Sequence, residues 1–159
     1  MQTSEKTYED RMLEAFIAKP QVVEWYKKSF EKFNVNGVDA VAWNWSWWGF
    51  FTGFLYLLYR KAYLPALGVF LLSIIVGMLP YIGTLFLMIL TGGYSTYFIY
   101  KEYKSKRQSI ERSIEDEETR IETMKKIGGY NQWVVWVYII FTAIIFAAIY
   151  NIAINMPPL

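Results

Sequence analysis

The sequence predicts an all-α integral membrane protein with three transmembrane helices, one short aromatic helix that is interfacial or re-entrant, and a charged cytoplasmic helical layer. Three observations lead there. The charges are confined: six basic and seven acidic residues precede Ala40, Arg60 and Lys61 stand together, and eight basic and seven acidic residues lie from Lys101 to Lys126. Three runs therefore carry no charge, at 40–59, 62–100 and 127–159. The composition, 55% hydrophobic and 19% aromatic, is also too apolar for an ordinary soluble domain. A water-soluble helical core would rarely need three uncharged runs of this length.

Five segments follow. Residues 1–39 read as an amphipathic helical module. From Tyr8 to Lys19, Met12, Leu13, Phe16 and Ile17 share one helical face, and Pro20 closes that helix and opens the next. From Gln21 to Phe33, Val22, Val23, Tyr26, Phe30 and Phe33 repeat at helical spacing, opposite Glu24, Lys27, Lys28, Glu31 and Lys32. Two such short helices bury too little surface alone, so the module is expected to rest on the membrane surface or on the 101–126 segment. The polar, acidic start lacks a basic segment followed by an apolar one, so no cleaved signal peptide is expected. Asn34 to Gly37 reads as a turn, and Asp39 is the last charge before the aromatic run.

Residues 40–61 hold Trp43, Trp45, Trp47 and Trp48, amphipathic rings of the kind that settle at headgroup level. A helix over 43–59 would reach about 25 Å, short for a span, and whether it spans or lies in the interface stays open. If it lies in the plane or re-enters, every Lys and Arg falls on the cytoplasmic side, as the positive-inside rule favours. Gly49, Thr52 and Gly53 fall on one stripe of that helix, where another helix can approach closely.

Residues 62–100 are about twice the ~20 residues of a spanning helix, and Pro80 divides them into a hairpin, with Gly83 also shaping its tip. At about 1.5 Å per residue, 62–79 reaches roughly 27 Å and 81–100 roughly 30 Å, against a hydrocarbon core of ~30 Å. Thr84, Thr91 and Ser95 share a face, expected to be a packing surface rather than a solute path. Residues 101–129 read as a charged amphipathic helix through Lys126, with Ile110, Ile114, Ile121 and Met124 on one side. Glu102 and Lys106, Asp116 and Arg120, and Glu122 and Lys126 form i,i+4 pairs. The Glu115 to Glu118 cluster reads as a solvated face, and Gly128 and Gly129 end the helix. Residues 130–159 form the last span, about 33 Å over 133–154, with Trp133 and Trp136 as interface anchors.

The candidate functional residues follow from these placements. Arg60, Lys61, Lys101, Lys104, Lys106 and Arg107 are expected to meet anionic lipid, at about 1 kcal/mol per residue near the surface. Gly49, Thr52 and Gly53, with Ala143, Ala147 and Asn151 on the last helix, are expected to pack protomers into a homo-oligomer. The absence of Cys and His excludes disulfides, Cys/His metal sites and His-based catalytic triads. No ionisable acid or base lies within 62–100 or 127–159, which argues against proton- or ion-driven transport. The expected role is therefore a non-enzymatic structural or accessory protein, without cofactor, metal or nucleic acid, that self-associates and organises or curves the bilayer. The alternatives are a recruiter of an unidentified protein partner and a passive pore for a small solute.

Trp43-Asn44-Trp45, Gly49, and Leu57-Leu58-Tyr59-Arg60-Lys61 with Tyr63 resemble the signature of a bacterial family of small membrane proteins, domain of unknown function 2628. Leu13 to Ile17, Phe30-Glu31-Lys32-Phe33, Gly37, the Tyr/Lys-rich stretch from Tyr97 to Lys106, and Gly128-Gly129 agree with it. Ser46-Trp47-Trp48 departs from the smaller or Phe residues usual there. The resemblance implies a multi-pass protein of the bacterial cytoplasmic (inner) membrane, and it implies no reaction.

Overall fold

The computed structural model describes residues 6–78 and 82–155; Pro80, expected at the hairpin tip, lies outside the described residues. The chain forms α1 (Tyr8–Ile17), α2 (Pro20–Glu31), a minimal hairpin of β1 (Asn34–Val35) and β2 (Val38–Asp39), α3 (Trp47–Thr52) and α4 (Phe54–Tyr59). It continues as α5 (Tyr63–Val76), α6 (Ile82–Ser113), α7 (Glu117–Ile127) and α8 (Trp133–Asn155).

The helix boundaries have local causes. Thr7 caps α1 by accepting from the Asp10 N–H, and Ala18 closes it in the left-handed region at φ 53°. Pro20 then stands at the first position of α2, where its missing N–H costs nothing. The apolar face expected on α1 is the buried one: Met12, Phe16 and Ile17 are fully covered and Leu13 nearly so. They join Phe33 and Phe30 against α6 and α7, with Ile99 and Met124 completing the core of this headpiece.

Phe30 and Phe33 meet the Tyr100 ring at centroid distances of 5.3 and 5.5 Å, and Phe16 meets Tyr103 at 5.2 Å. Pairs of this kind contribute about 0.5–1.5 kcal/mol each beyond area burial. The N-terminal module packs on the chain's own α6 and α7, one of the two supports expected for it.

Three boundaries differ from expectation. Residues 43–59 are not one helix: 43–46 run extended, and α3 and α4 are separated by Gly53 at φ 53°, ψ −122°. α6 crosses the expected boundary at residue 100 without a break and runs for 32 residues, roughly 48 Å. The charged helix then breaks at 114–116, where Asp116 caps α7 by accepting from the Thr119 N–H at 2.8 Å. Asp116 is thereby committed to the cap, and Arg120 donates instead to the Ile114 carbonyl at 2.6 Å, covering the frayed end of α6.

Among the described residues, two helices, α6 and α8, are long and apolar enough to cross a membrane. α5 is apolar but has 14 residues, roughly 21 Å, because it starts after Lys61 turns left-handed and stops before Gly77. It is thus shorter than the span expected over 62–79. α8 covers roughly 35 Å and is exposed along its length except at Val134, which is buried, and Thr142, which is half-buried. Among the described residues it packs on α4 and on no other helix.

Candidate functional site: the aromatic loop and its charged frame

The segment between Asp39 and Lys61 leaves the headpiece, runs beside α6 and returns to the headpiece. Its departure is set by a two-residue turn, Asn36 and Gly37, both at positive φ (53° and 83°), which matches the twist of a tight hairpin. The turn delivers Asp39 to α6. There the Asp39 carboxylate accepts from Lys104, from the Tyr100 hydroxyl at 2.8 Å and from Lys101 at 3.1 Å. These donors, Lys104 foremost, hold its pKa down at about 2.

Beyond Asp39 the chain lies on α6 without regular secondary structure as far as Ser46. The Asn44 N–H donates to the Gly93 carbonyl at 3.0 Å and the Ser46 N–H to the Gly92 carbonyl at 2.7 Å. This approach needs glycine on the helix: a Cβ on Gly92 would meet Phe50 and the Trp45 ring at 3.0 Å, and one on Gly93 would collide with the Trp43 ring. Gly93, Gly92 and Thr91, the last of which lies against Gly49, stand eight, nine and ten residues before Lys101, so the loop reaches roughly 12–15 Å along the helix from the first charge.

The polarity of this segment is inverted relative to a water-soluble one. Asn44 and Ser46 point inward and are buried, whereas Val41 and Trp43 point out. Asn44 donates to Ser29 at 3.1 Å and accepts from Lys32 at 2.9 Å, and Ser46 caps α3 through the Gly49 N–H at 3.2 Å. On α3 itself Trp47, Trp48 and Phe51 are 63%, 71% and 63% exposed. Polar side chains inside and large rings outside suit an apolar surrounding and are costly in water.

The expected Gly49, Thr52, Gly53 packing stripe does not exist as a single face. Gly49 is used within the protomer: a Cβ there would sit 2.6 Å from the Thr91 carbonyl and strike Ser95. Gly53 forms the break, with no atom near its missing Cβ, and the Thr52 hydroxyl donates to the Trp48 carbonyl. Thr91 and Ser95 are both buried beneath α3, a packing surface as the sequence suggested, whereas Thr84, expected on the same face, is exposed.

The return leg ends at two cations. Tyr56 and Tyr26 share a hydroxyl hydrogen bond of 2.6 Å, bringing α4 against α2. Arg60, expected among the lipid contacts, is instead 2% exposed, which puts it out of reach of a headgroup. Its guanidinium lies 4.9 Å over the Tyr26 ring and donates to the Ile17 carbonyl at 3.2 Å. Its Nε and Nη2 have no partner among the described residues. Lys61, left-handed at φ 57°, donates to the Gly128 carbonyl. The Gly129 N–H returns to the Phe16 carbonyl and the Asn131 N–H to the Tyr59 carbonyl, each at 2.8 Å. The C-terminal ends of α1, α4 and α7 thus converge here, and their partial negative charges explain how a guanidinium is buried without a carboxylate.

The other expected cationic contacts also hold protein acceptors. Lys101 and Lys104 share Asp39, Lys106 pairs with Glu102 at 3.0 Å, and Arg107 pairs with Glu111 at 2.8 Å and Glu9 at 3.1 Å. Trp133 and Trp136 are exposed on the first turn of α8, and Ala143, Ala147 and Asn151 are exposed farther along it, away from Gly49. On the headpiece, a cleft of about 520 Å³ opens between α1, α2 and α6, with Glu9, Lys27, Phe30, Tyr103 and Arg107 in its walls. Sequence reasoning passed over Asp39, Asn44, Ser46, Gly92 and Gly93 as site residues. The available signal was the alternation of polar residues with tryptophan inside an uncharged run.

Residues 14–104 match the model of a family described as a protein of unknown function (DUF2628), the family whose signature the sequence resembles. The match takes in the loop, α5 and α6 as far as the Asp39 partner Lys104, while α7 and α8 lie beyond it. No curated protein and no solved structure matches the chain.

Proposed function

The chain belongs to the DUF2628 family, whose description names no activity, and from that premise we propose a non-enzymatic structural or accessory protein of the bacterial cytoplasmic membrane that self-associates and organises or curves the bilayer. One observation carries the reading: the 40–59 loop leaves and rejoins the charged headpiece, with polar side chains turned in and rings turned out. In this reading α5, α6 and α8 carry the chain across the bilayer, since a headpiece on one side requires α5 to bring the chain to the far end of α6, and the loop is re-entrant in the cytoplasmic leaflet. The headpiece, with the described Lys and Arg residues, stays on the cytoplasmic side.

A loop reaching roughly 12–15 Å along α6 goes no deeper than about the middle of a ~30 Å hydrocarbon core. It adds area to one leaflet alone, which bends or orders the membrane when many protomers act together. The exposed α8, with Ala143, Ala147 and Asn151, offers a surface for assembling them.

The test is reconstitution into phosphatidylethanolamine and phosphatidylglycerol liposomes at rising protein density, imaged by cryo-electron microscopy. Tubes or small vesicles are expected with the wild type and smooth large vesicles with Trp47→Ser/Trp48→Ser/Phe51→Ser. Unaltered vesicles at every density, with a monomer in lipid nanodiscs, would overturn the proposal. Recruitment of a protein partner is the second reading, favoured by the headpiece cleft. A passive pore has less support, because Thr91 and Ser95 are covered by α3.

A further inference from the structure

We propose that the β1–β2 hairpin and the residue pair that follows it form a second lipid contact, in which Val35, Val38 and Val41 meet the boundary between headgroups and acyl chains. The inference rests on the membrane reading above and adds an element that the sequence marked only as a turn.

Depth is the first argument. Asp39 is bound to Tyr100, Lys101 and Lys104, and Lys101 is the first charge after the uncharged run of α6. Val38 and Val41 stand one and two residues from Asp39, so they are held at the level where α6 changes from uncharged to charged. Val35 is directly opposite Val38 in the hairpin register, and cross-strand neighbours form one patch.

Exposure and charge give the second argument. Val35, Val38 and Val41 are 54%, 68% and 65% exposed, and Trp43, Trp47 and Trp48, farther along the same segment, are exposed as well. That succession selects lipid as the occupant, since the segment leads directly to the rings assigned to the leaflet. The hairpin's one charge, Asp39, is satisfied by two lysines, so the patch can approach acyl chains without carrying an unpaired charge with it. A peptide adding a strand to the hairpin edge is the competing occupant.

The chain has no cysteine, so single-cysteine variants can each carry one environment-sensitive nitrobenzoxadiazole fluorophore. Labels at Val38 and Val41 are compared in nanodiscs with one at Ile144 on α8 and one at Glu122 on α7. The expected result is blue-shifted emission at Val38 and Val41, quenched by lipids brominated near the headgroup and inaccessible to iodide. The Glu122 label should be open to iodide, and the Ile144 label quenched by lipids brominated deep in the chain. If the Val38 and Val41 labels behave as Glu122 does while Ile144 is quenched, the hairpin inference falls and the membrane reading stands. Labels at Val38 and Val41 shielded from both iodide and bromolipid would mean a protein cover, and would overturn it as well. An unquenched Ile144 label would overturn both.

Discussion

Gly49→Ala should loosen the aromatic loop from α6, and the size of the effect follows from one distance. The new Cβ would stand 2.6 Å from the Thr91 carbonyl oxygen, where a relaxed C···O contact is about 3.3–3.6 Å, so α3 must retreat by about 0.7–1 Å. The two bonds that fasten this segment, 3.0 Å at Asn44 and 2.7 Å at Ser46, then stretch past the useful range of ~3.2 Å. Overpacking of this kind costs about 1–3 kcal/mol, and alanine returns up to about 1 kcal/mol of helix propensity. A net loss of about 1–2 kcal/mol corresponds to roughly five- to thirtyfold faster amide exchange by local opening. Hydrogen–deuterium exchange in nanodiscs, read at the peptides carrying Asn44 and Ser46, measures this. Unchanged exchange together with collapse of an oligomer to monomers would refute the reasoning and place Gly49 between protomers.

Other outcomes follow from the same geometry. Gly53→Ala should lower the unfolding temperature by the equivalent of about 1–3 kcal/mol through backbone strain alone, since its φ of 53° with ψ of −122° disfavours an L residue while no atom crowds the site; a variant as stable as the wild type would count against the break. Arg60→Met should leave the preference for phosphatidylglycerol vesicles unchanged in flotation assays, because the guanidinium is buried, and a clear loss of that preference would show the side chain reaching lipid. The Asp39 pKa is lowered from 3.8 to about 2, so its contribution, about 1–2 kcal/mol after solvent screening, is present above pH ~4 and is lost as pH falls toward ~2. Asp39→Asn should remove that pH dependence, measured by thermal unfolding across the acid range.

Much of the build was legible locally. The amphipathic period of α1, the Pro20 junction, the turn within Asn34 to Gly37 and the starts of the apolar helices α5, α6 and α8 depend on neighbours a few residues apart, and all appear where the pattern placed them or within a few residues. The family signature lies in the same contiguous segments. The burial of Arg60 was not legible, because its partner, the Ile17 carbonyl at the end of α1, lies 43 residues away in the chain, just as the Gly128 carbonyl that holds the neighbouring Lys61 lies 67 residues away at the end of α7. The break at Gly53 has the same character, since it lets α3 settle on Thr91 and Ser95 while α4 turns back to Tyr26.

The sequence by itself determined which stretches avoid water, because charge and hydropathy are properties of single residues. It could not determine which apolar face meets protein and which meets lipid, because hydrocarbon and a protein interior reward the same side chains almost equally. Only the tertiary structure made that choice. It turned Asn44 and Ser46 toward partners in α2 and α3, set Gly92 and Gly93 beneath the rings of Trp45 and Trp43, and left Trp47, Trp48 and most of α8 facing outward. The deciding physics is hydrogen bonding: a polar group away from water must find a partner, and those partners exist only once distant segments are packed together.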